Sequence, residues 1–136
     1  MLYQTDYRLR EDHWTTLPGL AVTLDDRSVG PVVEPGLHCA SCQRRITAPD
    51  QQIERNGCHH HRVTNPAGLV FNIGCFATAE GCYPRGQPTD QHSWFSGFAW
   101  QIAQCRSCHY QLGWRFTGDA TSFYGLILDR LIAISD

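Results

Sequence analysis

The chain has 136 residues, of which 18% are charged, and a formal net charge of −2 at pH 7. This length predicts one domain with a modest core, and the slight negative charge excludes the basic surface of a typical nucleic-acid-binding protein. No stretch is long and apolar enough to cross a membrane, and residues 1–10 lack the apolar region of a signal peptide. Seven cysteines cannot all pair as disulfides, so we expect a reducing, cytoplasmic setting.

The N-terminal part of the sequence shows no clear periodicity. Gly30-Pro31 and Pro35-Gly36 separate it from the first cysteine pair. We therefore expect residues 1–37 to form a lead-in segment that packs loosely on a domain at residues 38–136. Trp14 could anchor this segment or belong to a surface that binds a partner.

The remaining chain predicts a mostly antiparallel β domain. The dipeptide Asn56-Gly57 signals a hairpin, and Asn65-Pro66-Ala67-Gly68 signals a tight turn because Pro fixes φ and Gly permits a positive φ. Residues 123–134 suit a strand or a short helix, with strand favoured for the first half. The other expected elements are a strand and turn at 43–53, strands at 69–73, 100–103 and 112–117, an irregular or helical turn at 75–82, and loops at 84–88 and 118–122.

Two C-x-x-C pairs predict a metal site formed by Cys39, Cys42, Cys105 and Cys108. Two-residue spacing lets one turn present two thiolates to one Zn²⁺, and four thiolates complete a tetrahedron with no open position. We therefore expect one structural, non-catalytic zinc that joins distant parts of the domain; two redox motifs are the alternative.

The other cysteines and a histidine triplet have no such spacing. Cys58, Cys75 and Cys82 are expected to be ordinary thiols. Adjacent side chains of an extended chain point to opposite sides, so His59-His60-His61 chelates a metal poorly. The triplet is expected to be a solvated hairpin tip.

Tryptophans cluster around the second cysteine pair. Residues 92–100 read His-Ser-Trp-Phe-Ser-Gly-Phe-Ala-Trp, and Trp114 follows six residues after Cys108. Composition alone favours an ordinary core for these side chains. The alternative is a pocket with aromatic walls, because each buried indole N–H needs a partner.

The order of the motifs is more specific than any one of them. The sequence resembles the CULT domain, the thalidomide-binding domain of the cereblon family, from about residue 38 to 133, and it is most similar in organisation to free-standing bacterial versions. The motifs that carry the resemblance are Cys39-x-x-Cys42, Asn65-Pro66-x-Gly68, His92-Ser93-Trp94-Phe95-x-Gly97-Phe98-Ala99-Trp100, Cys105-x-x-Cys108, Gly113-Trp114-x-Phe116 and Phe123-Tyr124-Gly125-Leu126.

This resemblance implies a β-tent fold, with two roughly orthogonal antiparallel sheets pinned by one zinc that four cysteines bind. It implies a non-catalytic pocket whose walls are Trp94, Trp100 and Trp114, with Phe116 at its floor. His92 and Trp94 are expected to bind the ligand largely through their main chain. The resemblance also assigns Asn65, Pro66, Phe71 and Ser93 to ligand binding.

The implied ligands are cyclic imides: the glutarimide of thalidomide-type compounds, uracil or uridine-like rings, and C-terminal cyclic imides of damaged proteins. The chain lacks the Lon-like domain and adaptor-binding segment of the eukaryotic family members, so no E3-ligase adaptor is expected to bind it. We expect the protein to be a monomer. Ala67 predicts an open pocket edge. The hairpin at 55–65 is expected to become ordered when ligand binds.

Enzymatic functions remain as alternatives. A β-tent enzyme of the methionine sulfoxide reductase B type would need a reactive thiol among Cys58, Cys75 and Cys82. An imide hydrolase would need a nucleophile and base, and no such pair is apparent. A zinc deaminase is disfavoured because no H-x-E accompanies the cysteine pairs. A reader of methylated ammonium groups would need a carboxylate, and only Asp90 lies near in sequence.

Overall fold

A computed structural model describes residues 34–135 of the chain. The expected lead-in, including Trp14, therefore lies outside the described residues apart from positions 34–37. The first strand begins at Gly36, inside the range expected for the lead-in.

The described residues form nine β-strands and two short 3₁₀ turns. Within residues 34–135 there is no α-helix, and no helix has the length and apolarity needed to cross a membrane. The 3₁₀ turns span Pro49–Gln51 and Leu128–Arg130. The strands are β1 (Gly36–Cys39), β2 (Arg45–Thr47), β3 (His60–Thr64), β4 (Val70–Phe76), β5 (Cys82–Thr89), β6 (Ala99–Cys105), β7 (Gln111–Thr117), β8 (Ser122–Ile127) and β9 (Leu131–Ile134).

These strands pair into two antiparallel sheets. The small sheet has the order β2-β1-β9, and the large sheet has the order β3-β4-β8-β7-β6-β5. The predicted fold class, a mostly β domain with two antiparallel sheets, is confirmed. The strands predicted at residues 100–103 and 112–117 are present as β6 and β7, and residues 123–134 supply both β8 and β9.

The core consists of two packed clusters. One joins the two sheets and includes Leu37 of β1, Ile46 of β2 and Leu131 of β9. The other is aromatic and lies on the large sheet: the Phe116 and Phe123 rings stack with centroids 5.1 Å apart at an angle of 23°. Gly125 makes room for this stack, because a Cβ there would lie 2.9 Å from the Phe116 ring.

The prediction of a loop at residues 84–88 was wrong, because these residues belong to β5. Pro84 and Pro88 cannot donate hydrogen bonds to a ladder, but proline is tolerated in an edge strand, whose outer side needs no partner. β5 is such an edge strand, and its pairing with β6 is irregular between Arg85 and Thr89. The irregular turn expected at 75–82 is also shorter than predicted, since β4 continues to Phe76.

The histidine triplet is not a solvated hairpin tip. His60 and His61 are the first residues of β3 and pair with β4. The His59 ring contacts Phe76 at 5.2 Å, and the His61 ring contacts Phe95 at the same distance, both edge-on. The rings of His59 and His61 therefore attach edge strand β3 to the core. This packing role accounts for aromatic side chains at these positions.

Phe123 tests the importance of the aromatic cluster for stability. Its side chain is fully buried and contacts Phe95, Phe98 and Phe116. We expect Phe123→Ala to lower the free energy of unfolding by about 3–5 kcal/mol, the usual cost of the cavity left by a buried aromatic ring. Urea unfolding of the zinc-loaded protein measures this change.

A surface substitution on the same sheet is the control for this variant. Val70 of β4 is 45% exposed. Val70→Thr should change the free energy of unfolding by no more than about 0.5 kcal/mol, because it creates no buried cavity. Equal effects of the two variants would contradict the central role assigned to the aromatic cluster.

Candidate functional site

The four cysteines lie on two turns with the same backbone design. Cys39 ends β1 and Cys105 ends β6. In each turn, the N–H four residues later donates to the cysteine carbonyl: Gln43 to Cys39 at 2.7 Å and His109 to Cys105 at 3.0 Å. Gln43 and His109 also share a positive φ, 70° and 67°. Each turn therefore folds back on itself and presents two thiols on one side.

The two turns face each other and bring the four sulfurs together. All four Sγ atoms lie within 4.8 Å of one another, and the Cys39–Cys108 and Cys42–Cys105 Sγ distances are both 3.6 Å. A tetrahedral zinc with Zn–S bonds of about 2.3 Å has sulfur–sulfur edges of about 3.8 Å. The predicted four-cysteine site is confirmed, and its donor atoms fit a single structural zinc.

The ionisation of these thiols also favours a cation. Burial raises the pKa of the Cys39 thiol to about 12. At Cys108 burial acts in the same direction, but hydrogen bonds from the Tyr110 N–H and neighbouring thiols outweigh it and lower the pKa to about 7. Four thiolates this close repel one another strongly, so a divalent cation is needed to hold them all ionised. A zinc bound here joins β1 of the small sheet to β6 and β7 of the large sheet.

An aromatic cavity of about 430 Å³ opens on the large sheet near this metal site. This volume lies in the range of small-molecule pockets, about 300–1,000 Å³. The described residues that line it carry no thiol, hydroxyl or carboxylate. They are Asn65, Pro66, Leu69, Phe71, His92, Trp94, Trp100, Ile102, Gln111, Trp114 and Arg130.

The aromatic walls are fixed by ring contacts and by main-chain hydrogen bonds. Trp94 and Trp114 meet edge to face with centroids 4.7 Å apart, and Phe71 meets Trp114 edge to face at 5.2 Å. The Trp94 indole N–H donates to the Thr64 carbonyl at 2.9 Å, and that of Trp100 donates to the Gln91 carbonyl at 2.7 Å. These bonds orient both rings before any ligand binds.

Two residues of the cavity lining, His92 and Trp94, have main-chain groups without partners among the described residues. His92 has a φ of 60°, a left-handed conformation in which His is enriched among non-glycine residues. The main-chain N–H and C=O groups of His92 and Trp94 make no hydrogen bond to another residue in the range 34–135. Another lining residue, Asn65, accepts a hydrogen bond from the Leu69 N–H through its side chain at 2.9 Å and closes the predicted tight turn.

Seven of the nine residues predicted to bind ligand line this cavity, and two lie elsewhere. Phe116 is 1% exposed and lies in the core behind Trp94, with ring centroids 6.4 Å apart. Ser93 is held in the preceding turn, where its hydroxyl donates to the Phe95 carbonyl at 3.0 Å. Phe116 therefore packs against the wall residue Trp94, whereas Ser93 belongs to the loop between two lining residues and does not face this cavity.

Four lining residues were not predicted from the sequence: Leu69, Ile102, Gln111 and Arg130. Alternation along β6 could have found Ile102, because it shares a face with Trp100 and lies opposite Trp114 in the ladder. No sequence pattern identifies Arg130 as a lining residue. It reaches the cavity from the 3₁₀ turn before β9, and the position of that turn depends on long-range strand pairing.

The three other cysteines lie outside the cavity lining. Burial raises the pKa of both Cys75 and Cys82 to about 12, so both are protonated thiols at neutral pH. Cys58 is exposed. For Cys75 and Cys82 the raised pKa agrees with the expectation of ordinary thiols, because a nucleophilic cysteine needs a lowered pKa.

Two antiparallel sheets joined by a four-cysteine zinc site, with an aromatic cavity beside it, define a zinc-containing β-fold binding domain. No family model matches the chain. Among characterised proteins it is similar to cereblon from Gallus gallus, with 33% identity over 103 residues, which are 71% of this chain and 23% of that protein. It is 45% identical over 72 residues to cereblon from Xenopus tropicalis and 37% identical over 73 residues to cereblon from Danio rerio.

These matches cover 49% and 50% of this chain and 16% and 17% of the Xenopus and Danio proteins. The chain thus spans less than a quarter of the length of each of these three relatives. The matches to these relatives, together with the fold and the zinc site, show that the chain carries a cereblon-like CULT domain.

The metal site gives a direct test. Cys42→Ser removes one of four ligands, so we expect the variant to lose the equivalent of one zinc per chain and to unfold at least about 10 °C lower, because zinc binding supplies folding free energy. Elemental analysis by mass spectrometry and a thermal melt measure the two effects. Cys58→Ser, which also replaces an exposed thiol, should keep one zinc and the original melting temperature.

Proposed function

We propose that this domain is a non-catalytic receptor for cyclic imides, held in a cage of Trp94, Trp100 and Trp114. Its ligands are the glutarimide ring of thalidomide-type compounds, uracil or uridine-like rings, and C-terminal cyclic imides of damaged proteins. The observation that carries this proposal is the combination of preoriented indole walls with the unpartnered main chain of His92 and Trp94, two residues that line the cavity.

The chemistry of an imide suits both parts of this cavity. A flat, uncharged ring packs its faces and CH₂ groups against indole surfaces. The imide presents an acceptor, a donor and an acceptor in a row. A main-chain edge with a free carbonyl and free N–H groups can pair with that row, and the apolar walls exclude water from these hydrogen bonds.

An enzymatic function has less support. The described lining residues include no thiol, hydroxyl or carboxylate that could act as a nucleophile or general base beside the single lining histidine, His92. The zinc site is closed by four sulfur ligands, so it offers no position for an activated water. A reductase of the methionine sulfoxide type or an imide hydrolase is therefore disfavoured.

A reader of methylated ammonium groups is disfavoured by charge. Aromatic cages attract cations through the ring faces. The described lining of this cavity contains the guanidinium of Arg130 and no carboxylate. A cationic ligand would therefore meet a like charge, whereas a neutral imide would not.

We further propose that residues 38–136 act as the ligand-binding unit of a monomer in a reducing, cytoplasmic compartment. None of the seven cysteines, which all lie within the described residues, forms a disulfide, and four of them form the metal site. Unpaired thiols persist where disulfides are reduced. The partners are small imides or protein C-termini that bear one.

A fluorescence titration tests imide binding. Glutarimide or uracil should change the intrinsic tryptophan emission of the zinc-loaded protein and compete with a labelled thalidomide derivative. Trp100→Ala should weaken binding tenfold or more, since stacking on one aromatic side chain contributes about 1–3 kcal/mol. Trp100 is partly exposed and its ring lines the cavity, so the variant should keep its zinc and its fold.

The matched control is Tyr83→Phe, which alters an aromatic residue on β5 outside the cavity lining and should leave affinity unchanged. If neither imide changes the fluorescence nor displaces the labelled compound, the proposed function is wrong.

Thiol alkylation separates the receptor from a thiol-dependent enzyme. Cys58 is exposed and lies outside the cavity lining, whereas Cys75 and Cys82 are buried. We expect limited iodoacetamide treatment of the zinc-loaded protein to modify Cys58 and to leave imide affinity unchanged. The opposite outcome is that treated protein loses imide binding as Cys58 becomes modified, while treated Cys58→Ser keeps imide binding. That outcome would point instead to a role for the Cys58 thiol at the site.

A further inference from the structure

The cavity has a charged end that the binding of a bare imide ring does not use. Arg130 lines it, and within the described lining it is the one residue with a permanent charge. The guanidinium carbon lies 5.0 Å from the Tyr110 ring centroid and 5.9 Å from that of Phe71. The cation is thus in contact with two aromatic side chains, and Phe71 connects it to Trp114, whose ring Phe71 also contacts.

The hydrogen bonding of Arg130 leaves most of its donors free. Its Nη1 donates to the Gln111 carbonyl at 2.8 Å. Its Nε and Nη2 make no hydrogen bond, and the side chain makes no ion pair, with any residue in the range 34–135. A guanidinium has five N–H donors in a planar fork that matches a carboxylate or phosphate.

The main chain holds this residue in place. The Arg130 carbonyl accepts from the N–H of Ala40, which lies between two zinc ligands, at 3.0 Å. Gln111, its side-chain partner, begins β7 directly after the second cysteine turn. The position of the Arg130 guanidinium is therefore set by contacts with the two cysteine turns. It is not a mobile side chain on the surface.

The cavity is large enough for a ring and a substituent. At about 430 Å³ it falls in the range of pockets that hold drug-sized molecules, which have many more atoms than one six-membered imide. From the Trp114 ring, one step of 5.2 Å reaches Phe71 and a second of 5.9 Å reaches the Arg130 guanidinium. Trp114 and Arg130 line the same cavity and both contact Phe71, so a ring beside Trp114 can direct a substituent toward Arg130. A phosphate on a ribose reaches further than a carboxylate on the ring itself.

We propose that the preferred ligands are cyclic imides or ureides that carry an anionic group, a carboxylate or a phosphate, which binds Arg130 while the ring occupies the tryptophan walls. This inference rests on the proposed function, and it favours small acidic metabolites over neutral imides at protein C-termini. Arg130 is thus a specificity-determining residue.

The preference for an acidic ligand over a neutral one should be moderate, because Arg130 is partly exposed. Charge-assisted hydrogen bonds are stronger than neutral ones, but solvent and salt reduce the gain at a partly exposed site. We expect an acidic ligand to bind roughly tenfold more tightly than its neutral counterpart of equal size at low salt. High salt should shrink this ratio, because it screens the ion pair.

The experiment compares paired ligands by calorimetry on the zinc-loaded protein. Uracil-5-carboxylate and uracil-6-carboxylate are each compared with the corresponding carboxamide, which keeps the size and removes the charge. Uridine 5′-phosphate is compared with uridine in a separate arm, which distinguishes a phosphate from a carboxylate as the preferred anion. The variants are Arg130→Gln, Arg130→Lys and, as a matched loss of an exposed arginine on β5, Arg85→Gln.

We expect at least one acidic ligand to bind more tightly than its neutral partner. Arg130→Gln should weaken the acidic ligand far more than the neutral one, so that the ratio of the two affinities falls to about one, and Arg130→Lys should restore part of the ratio. Arg85→Gln should leave the ratio intact. If neutral imides bind but acidic ones gain nothing, or if Arg130→Gln leaves the ratio unchanged, this inference fails and the imide receptor stands. If no imide binds, the proposed function itself fails.

Discussion

The meeting of four thiolates between two cysteine turns is the constraint on which the domain depends. One turn ends β1 of a three-stranded sheet, and the other connects β6 and β7 of the large sheet. Cys42 of the first turn and Cys105 of the second are 63 residues apart in the chain. Closing a loop of this length costs conformational entropy, which opposes the meeting of the two turns. A zinc that binds only the assembled set offsets this cost, which allows a domain of modest size to hold its two sheets in contact.

The same constraint shapes the binding cavity, although the metal takes no part in its chemistry. Ala40 of the first turn holds the main chain of Arg130, and the second turn leads directly into Gln111. The tryptophan walls are held at the other end by main-chain carbonyls of Thr64 and Gln91. The cavity is therefore held at one end by a main-chain hydrogen bond and at the other by hydrogen bonds from indole N–H groups to main-chain carbonyls.

The fold class and the metal site could be predicted because each depends on local signals. The C-x-x-C spacing identified Cys39, Cys42, Cys105 and Cys108, and alternation identified β6 and β7. Local signals failed where the sheet context decides. Pro84 and Pro88 suggest a loop, yet an edge strand accepts them. Phe116 shares a face with Trp114 on β7, but depth in the core, which alternation does not report, separates the two. Arg130 joins the cavity through the return of β9, a long-range contact with no sequence period.

The unpartnered main chain at His92 and Trp94 has a consequence for how this domain can change over time. A hydrogen-bonding group on a side chain is lost by a single substitution, whereas a backbone carbonyl is present whatever the residue, and a backbone N–H is removed only by proline. A recognition edge built this way tolerates drift in the side chains around it. Arg130 has the opposite property, because one codon change alters its charge. On the proposed function, a lineage could therefore exchange one attached group of the ligand for another while the imide ring stays the same.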